Sequence, residues 1–447
     1  MNPLAVTRIL TSCTFKVQRN LLRFAWNGHW AIRAFERRRK RAGGTVAPFS
    51  ETGPTGNLGC SAGNEAFFPA FLMLSVTNRC HLRCKGCWVE QTHEPQQLSL
   101  AQMNGIVTTA QKYNSRFFGI LGGEPLLHPD IFQLFADHRK AYFQLFTNGL
   151  ALTGEVASQL AKTGNVTPLI SIEGLENETR VRRGGDNVFA RSLAGLEASV
   201  KAGLFTGVAA SINKRNFEEL VSARYLDFLV NKGVHYIWYY IYRPCGSEPD
   251  FDSALEEEQI LALRRFLVEQ RRRARIMIID AYWDAKGNAV CPGAMGLSHH
   301  IAPSGALEFC PIVQFTGESL NDDASNLEEI LQQNPLLKEL RAFTSGIGRR
   351  VVDRTAALPP GVPGPVGKSG GCVLMESPKE LAAFLREHNA LDSSNRYAGG
   401  TSRDAFDELE SRSPMICHDL KGKEIPEQSL AYRLGKKYYF FGFGAYG

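Results

Sequence analysis

Three thiols, Cys80, Cys84 and Cys87, fall within eight residues of the stretch Thr77-Asn78-Arg79-Cys80-His81-Leu82-Arg83-Cys84-Lys85-Gly86-Cys87-Trp88. A chain reaches at most about 3.3–3.6 Å per residue, so all three sulfurs can meet one metal centre. Thiolates are soft ligands suited to iron–sulfur clusters, zinc or Cu(I). Three are one short of a closed four-ligand site, so one coordination position is left for another group. His81 or His93 completing a structural zinc site is the plain alternative.

Downstream, Phe117-Phe118-Gly119-Ile120-Leu121 reads as a buried strand running into Gly122-Gly123-Glu124-Pro125. Paired glycines let a backbone approach a ligand closely, and a glutamate is an acceptor for an ammonium group. With cysteines spaced C-x-x-x-C-x-x-C after a first strand and G-G-E-P after a second, the sequence resembles the radical S-adenosylmethionine (SAM) superfamily. That resemblance implies a [4Fe-4S] cluster whose unligated iron is chelated by the amino and carboxylate groups of SAM. It also implies that Gly122, Gly123, Glu124 and Pro125 bind the same amino group.

These residues need a large scaffold, and the chain supplies one. At 447 residues and 44% hydrophobic it can bury a sizeable core. No run approaches the roughly 18 apolar residues of a membrane span, and no secretory signal is evident at the N-terminus. Ten cysteines clustered locally in so long a chain suggest metal in a reducing compartment, with cytoplasm as the default. The net charge of +6 is uneven: residues 1–50 hold ten Lys/Arg and one acid, leaving 41 Lys/Arg against 44 acids elsewhere. A nearly neutral body argues against nucleic acid as a partner.

In chain order, residues 1–42 read as a basic amphipathic arm, with Leu22, Trp26 and Trp30 at i, i+4 spacing among Arg19, Arg23, Arg33 and the run Arg37-Arg38-Arg39-Lys40-Arg41. Such a helix suits peripheral contact with an anionic membrane, a docked partner, or the protein's own body. Residues 43–65 read as a linker, with Cys60 incidental within it. From Phe71 to Arg243 strand and helix patterns alternate, implying βαβ units on a parallel sheet. Ser99-Leu100-Ala101-Gln102 is a capping box opening a helix. Further strands are expected at Tyr142–Phe146, Leu169–Ile172, Thr206–Ile212 and Val234–Tyr242, each with a polar cluster at its carboxyl end, where parallel α/β folds carry their sites.

Six such units match the partial (β/α)6 barrel that the resemblance implies, although a doubly wound sheet gives a similar pattern. By resemblance, Ser171-Ile172-Glu173-Gly174 is similar to the family's serine-x-acid-glycine stretch and Arg183-Gly184 to its arginine-glycine pair. Ser171, Glu173, Arg183 and Asn213 then become candidate contacts for the SAM ribose and carboxylate, with Asn148 alongside them. Their donor and acceptor types suit a diol and a carboxylate. Ser171 and Asn213 serve equally well as turn residues. Cys245, Tyr240 and Tyr242 are candidates for the substrate pocket, against the commoner reading of Cys245 as an inert buried thiol.

Beyond residue 250, Glu256–Arg275 reads as a charged helix, Ile276–Ile279 as a strand and Ile301–Phe309 as a hairpin. Cys291, thirteen residues, Gly305, four residues and Cys310 resemble the opening of a SPASM or twitch extension, although the dense cysteine array of a full SPASM domain is absent. The resemblance implies one auxiliary iron–sulfur cluster, on Cys291, Cys310, Cys372 and Cys417; a zinc knot or unrelated thiols are the alternatives. The expected organisation is an arm and linker over 1–65, a radical SAM core over 66–250, the extension over 251–357, and a Pro/Gly linker with a C-terminal segment over 358–447. The aromatic tail Tyr438–Gly444 suits a packed strand or a cap on the site.

The implied activity is reductive cleavage of SAM to a 5′-deoxyadenosyl radical that abstracts hydrogen from a small-molecule, lipid-like or peptide substrate, for oxidation, rearrangement or cross-linking. It needs an external one-electron reductant. No leader-peptide recognition segment is evident, which favours a small or membrane-associated substrate. Two other classes stay open: a non-catalytic iron–sulfur or zinc protein, and a membrane-surface scaffold.

Overall fold

The computed structural model describes residues 7–8, 11, 13–41, 67–92, 95–185, 187–347, 371–394, 396, 402–420 and 422–427. Cys60, His93, the expected linkers over 43–65 and 358–370, and the tail Tyr438–Gly444 lie outside them. Helix α1 (Phe15–Arg41) precedes a run of strands β1 (Phe71–Ser75), β2 (Phe117–Leu121), β3 (Tyr142–Thr147), β4 (Val166–Ser171), β5 (Gly207–Ile212), β6 (Tyr236–Ile241) and β7 (Met277–Ile279). All seven pair in parallel and in sequence order, from β1 at one end to β7 at the other. A monotonic order has no switch point, so the sheet curls one way as an open barrel and is not doubly wound. The parallel sheet continues past residue 250, where the sequence suggested the core would end, because β7 pairs with β6.

On the other side of β1, β8 (Ser298–Ile301) pairs in parallel, followed by antiparallel β9 (Ala306–Cys310), β10 (Val313–Ser319) and the short β11 (Leu391–Asp392). The expected hairpin is thus β8–β9, and it extends the same sheet. β4 starts at Val166, three residues before the expected Leu169. Pro168 lacks an N–H, which the β4–β5 ladder tolerates because β5 joins β4 only from Leu169 onward.

Strands buried on both faces explain their unbroken apolar runs. Leu72, Leu74, Phe118 and Phe143 face the outer helices, including α2 (Leu100–Lys112) and α3 (Gly154–Thr163). Phe71, Phe117, Tyr142 and Tyr236, at the amino ends of their strands, pack inside the barrel on α1. The capping box is present as expected, with Gln102 N–H donating to Ser99 Oγ and Ser99 N–H to Gln102 Oε1, both at 3.0 Å.

α1 stops the amino end of the barrel. Val17, Leu21, Phe24, Ile32 and Phe35 are its buried face, and the Phe24 ring lies 5.3–5.9 Å from those of Phe117, Tyr142, Phe205 and Tyr236. The stripe singled out by spacing, Leu22-Trp26-Trp30, is the opposite face, and it is exposed. Among the described residues no helix is long and apolar enough to cross a membrane.

Candidate functional site

The cysteine loop leaves the carboxyl end of β1 and folds onto the loop that leaves β2. Gly123 N–H donates to Thr77 O and Glu124 N–H to Arg79 O, each at 2.7 Å. Only glycine permits this approach: a Cβ on Gly122, whose φ is +148°, would lie 2.4 Å from Thr77 O, and one on Gly123 would lie 2.3 Å from Arg79 O. The two motifs are therefore one backbone-locked unit. Glu124 is fully buried and its carboxylate accepts from Thr147 Oγ1 and Asn148 N–H, both at 2.8 Å, and from Leu126 N–H at 3.2 Å. Burial raises its pKa, with those donors opposing the shift. Having about four acceptor positions, it retains little room beyond the pinning of β2 to β3.

Cys80, Cys84 and Cys87 are half-buried and close enough to interact electrostatically. Leu82 N–H points at Cys80 Sγ at 3.4 Å, and Asn148 Nδ2 at the same sulfur at 3.7 Å. Burial, then Cys84, pushes the Cys87 thiol up to about 11. A metal must displace those protons, and backbone donors to sulfur are the arrangement that iron–sulfur ligation uses. His81 is exposed.

The segment after β6 supports the loop from behind. A Cβ on Gly246 (φ +84°) would strike Cys87 O at 2.1 Å, and one on Gly86 (φ +65°) would strike the Tyr242 hydroxyl at 2.2 Å. Cys245 is buried in the apolar core, and burial pushes its thiol up to about 12, the environment of a packing thiol. Tyr240 points into the barrel, stacked on Trp238 at 5.4 Å.

A shallow, solvent-open cleft lies beside this loop, lined by Lys85, Arg182, Asn213, Asn216, Tyr242 and Asp250, among others. Ser171 ends β4, half-buried. Glu173 holds Arg182 at 2.6 Å, Arg183 at 2.8 Å and Ser211 N–H at 2.8 Å. Burial opposes the Arg183 charge, and Glu173 together with Cys84 more than offsets it. Asn213 Oδ1 accepts from Arg215 and Asn216 N–H at 2.9 and 3.2 Å, a turn role, and the residue lines the cleft. Ser171, Glu173, Arg183, Asn148 and Asn213 thus gather at the carboxyl ends of β3–β5, as the strand pattern requires. Arg182 and Asn216, whose Nδ2 donates to Glu173 O and Ser211 O at 3.0 Å, were not singled out by any sequence signal.

Cys291, Cys310, Cys372 and Cys417 arrive from four segments and come within electrostatic reach of one another. Cys310 feels Cys291 and Cys372, while Cys372 hydrogen-bonds Cys417. Arg243 Nε donates to Cys417 Sγ at 3.2 Å. The Cys417 thiol and that cation hold Cys372 below its ordinary value. Among the described residues, no three or more His, Cys, Asp or Glu side chains stand together as a ready metal site. The donor chemistry of both thiol sets is that of thiolate-bound iron or zinc.

Sequence reading also missed a buried polar chain between the two sets. Ser75 Oγ lies 2.7 Å from His300 Nε2, His300 Nδ1 lies 2.6 Å from Glu308 Oε2, and Ser393 Oγ donates to Glu308 Oε1 at 2.6 Å. The ring of Trp88, next to Cys87, meets His300 edge-on at 5.6 Å. These residues are far apart in sequence and follow no spacing rule, so only the β1–β8–β9 register brings them together.

Residues 74–226 match the family model of the Radical SAM superfamily. The chain is 26% identical over 215 residues to the AdoMet-dependent heme synthase of Methanosarcina barkeri, covering 47% of this chain and 61% of that one. It is 32% identical over 158 residues to the mycofactocin maturase MftC of Mycobacterium tuberculosis, covering 34% and 40%. With the PqqA peptide cyclase of Streptomyces rochei it shares 29% over 169 residues, covering 37% and 46%. The chain spans about half the length of these curated relatives. The structure of Streptococcus suis SuiB bound to S-adenosylmethionine superposes with a TM-score of 0.53 at 18% identity, over 62% of this chain and 68% of that one, a likeness of fold.

Proposed function

We propose that the chain, whose residues 74–226 match the Radical SAM superfamily model, is a radical SAM enzyme in which Cys80, Cys84 and Cys87 hold a [4Fe-4S] cluster. When bound, that cluster supplies the electron that cleaves SAM to methionine and a 5′-deoxyadenosyl radical. The observation that carries this reading is the lock between the thiol loop and Gly122-Gly123-Glu124, which sets three thiols and a glycine-rich strand end side by side. Around it, Asn148, Ser171, Glu173, Arg183 and Asn213 orient the nucleotide: Arg183 offers a held guanidinium to a carboxylate, and Asn213 an amide to a ribose. Tyr240 and Trp238 line the barrel where a substrate carbon would be kept from water, with α1 closing the far end.

The substrate class proposed is a small molecule, lipid-like compound or peptide bearing an unactivated C–H bond. Relatives named as heme synthase and PqqA peptide cyclase support the small-molecule and peptide members of that class. An external one-electron reductant and a reducing, cytoplasmic setting belong to the same proposal. Cys291, Cys310, Cys372 and Cys417 are proposed to hold one auxiliary cluster, in a twitch-like extension after the core.

The test is anaerobic reconstitution with iron and sulfide, then dithionite and SAM, with 5′-deoxyadenosine as the readout. Parent protein should form it and Cys84→Ala should not. Protein that retains only zinc, or parent that forms no 5′-deoxyadenosine, would establish the non-catalytic alternative.

A further inference from the structure

We propose that the amino-terminal end of the barrel, with α1 laid across it, is a docking surface for an anionic lipid membrane. This goes beyond the SAM chemistry and does not depend on it.

α1 is apolar on two faces. Its inner face is committed to the barrel through Val17, Leu21, Phe24, Ile32 and Phe35. Its outer face carries Phe15, Leu22, Trp26 and Trp30, which are 77%, 59%, 64% and 36% exposed and make up four of the seven large exposed hydrophobics among the described residues. Positions 15, 22, 26 and 30 form one helical stripe, and Arg19, Arg33 and Arg37 fall within it, all three exposed. The Arg37 guanidinium lies over the Trp30 ring at 5.5 Å. The acid of this helix, Glu36, is buried, so the outer face shows water no carboxylate.

The second observation comes from the barrel. In a parallel α/β unit the outer helices end where the strands begin, so their last-turn cations gather at the end that α1 covers. Lys112, Lys162, Lys201 and Arg272 occupy or follow such last turns and are exposed, joined by Arg139 and Lys140 in the loop before β3. The contacts of α1 fix it to this same end: Arg23 donates to Gly164 O and Arg139 O, and Arg38 to Tyr113 O and Phe68 O. Each helix-terminal cation complements its own macrodipole. Together, around an aromatic stripe, and outnumbering the exposed carboxylates Asp137 and Glu269 at the same end, they give this face a net positive charge that complements anionic headgroups.

Tryptophan and arginine on one stripe match the interfacial zone of a bilayer, where an amphipathic helix lies in the plane with its rings among the headgroups. Twenty-seven residues give a contact about 40 Å long. The stripe is a convex ridge, and a planar lipid surface can follow such a ridge without a complementary groove. Docked in this way, the SAM site at the opposite end of the strands faces away from the membrane.

The experiment uses the full-length holoprotein with vesicles of phosphatidylcholine alone or mixed with phosphatidylglycerol. Flotation is expected only with the phosphatidylglycerol vesicles, falling several-fold as salt is raised. Tryptophan emission should shift to the blue on binding, because Trp26 and Trp30 are exposed while Trp238 and Trp283 are buried. Trp26→Ser with Trp30→Ser should lower the bound fraction about tenfold or more, and Arg19→Glu with Arg37→Glu should do the same, while cluster absorbance and 5′-deoxyadenosine formation stay at parent level. Absence of flotation with phosphatidylglycerol vesicles would overturn the proposal, as would equal flotation of the Trp26/Trp30 variant. A dimer in light scattering that the same variant dissolves would overturn it in favour of a second copy as occupant.

Discussion

The two thiol sets differ in how they are built. Cys80, Cys84 and Cys87 come from one loop, half-buried, beside a cleft. Cys291, Cys310, Cys372 and Cys417 come from four segments, two of them buried, with a guanidinium against one sulfur. A contiguous loop next to open space can leave a coordination position for a substrate. A set assembled through the fold, with four thiols and a cation, has enough sulfurs to close a four-ligand site. On the function proposed above, that difference fits the first set to chemistry on SAM and the second to electron storage or structural closure.

The largest test of that division is Cys84→Ala against Cys310→Ala. The first should abolish 5′-deoxyadenosine formation and lower bound iron by about four atoms. The second should lower iron by a similar amount yet leave SAM cleavage measurable, with its loss appearing in substrate turnover. Equal loss of SAM cleavage in both variants would erase the division. Next in size is Gly123→Ala. Its Cβ would meet a main-chain oxygen that cannot swing away, so we expect about 3 kcal/mol lost in urea unfolding and a poorly loaded first cluster. The second cluster should load normally, which iron content and EPR can separate.

Both thiol sets were legible in sequence to unequal degrees, for a physical reason. Cys80/Cys84/Cys87 is a local motif whose spacing alone bounds the distances between sulfurs. Cys291 and Cys310 were legible as a pair flanking a strand turn, whereas Cys372 and Cys417 reach them through tertiary packing that no spacing encodes. Strand order followed from alternating patterns, but the seventh parallel strand was assigned beyond the core because a charged helix separates it from β6. The stripe Leu22-Trp26-Trp30 was a correct helical periodicity on the face that turned out to point outward; a helix apolar on both sides offers no sequence cue to which face meets the core. Ser75, His300 and Glu308 had no signal at all.

A smaller effect, graded with pH, sharpens the contrast. His299 on β8 is buried, with Phe309 O at 3.2 Å from its Nδ1 and Arg341 donating to its Nε2 at 2.9 Å. Burial, then Arg341, lowers its pKa from 6.5 to about 3. Between those values the unfolded chain holds a proton that the folded chain does not, so stability falls as pH drops below about 6.5, by about 1.4 kcal/mol per unit for this group. Protonation would set two cations side by side and loosen β8 from Phe309, the neighbour of Cys310. Acid should therefore release the second cluster before the first. Urea unfolding from pH 7 to 4.5 should show the slope, reduced in His299→Gln, and simultaneous release of both clusters would count against the assignment.

The smallest predicted effect concerns Arg243. Burial works against its charge, yet Tyr282, Cys417 and Cys372 hold its pKa well above the ordinary value, and its guanidinium sits 5.0 Å from the Tyr282 ring centre. A cation bonded to a ligand sulfur stabilises the more negative, reduced state of a cluster. Arg243→Gln should therefore lower the reduction potential of the second cluster on the order of 60 mV, equivalent to a tenfold change for one electron, with both clusters still loaded and SAM cleavage intact. An EPR-monitored redox titration reads this directly. A potential that does not move would mean the guanidinium acts by packing on Tyr282, and the electrical part of the contrast between the two sites would rest on burial alone.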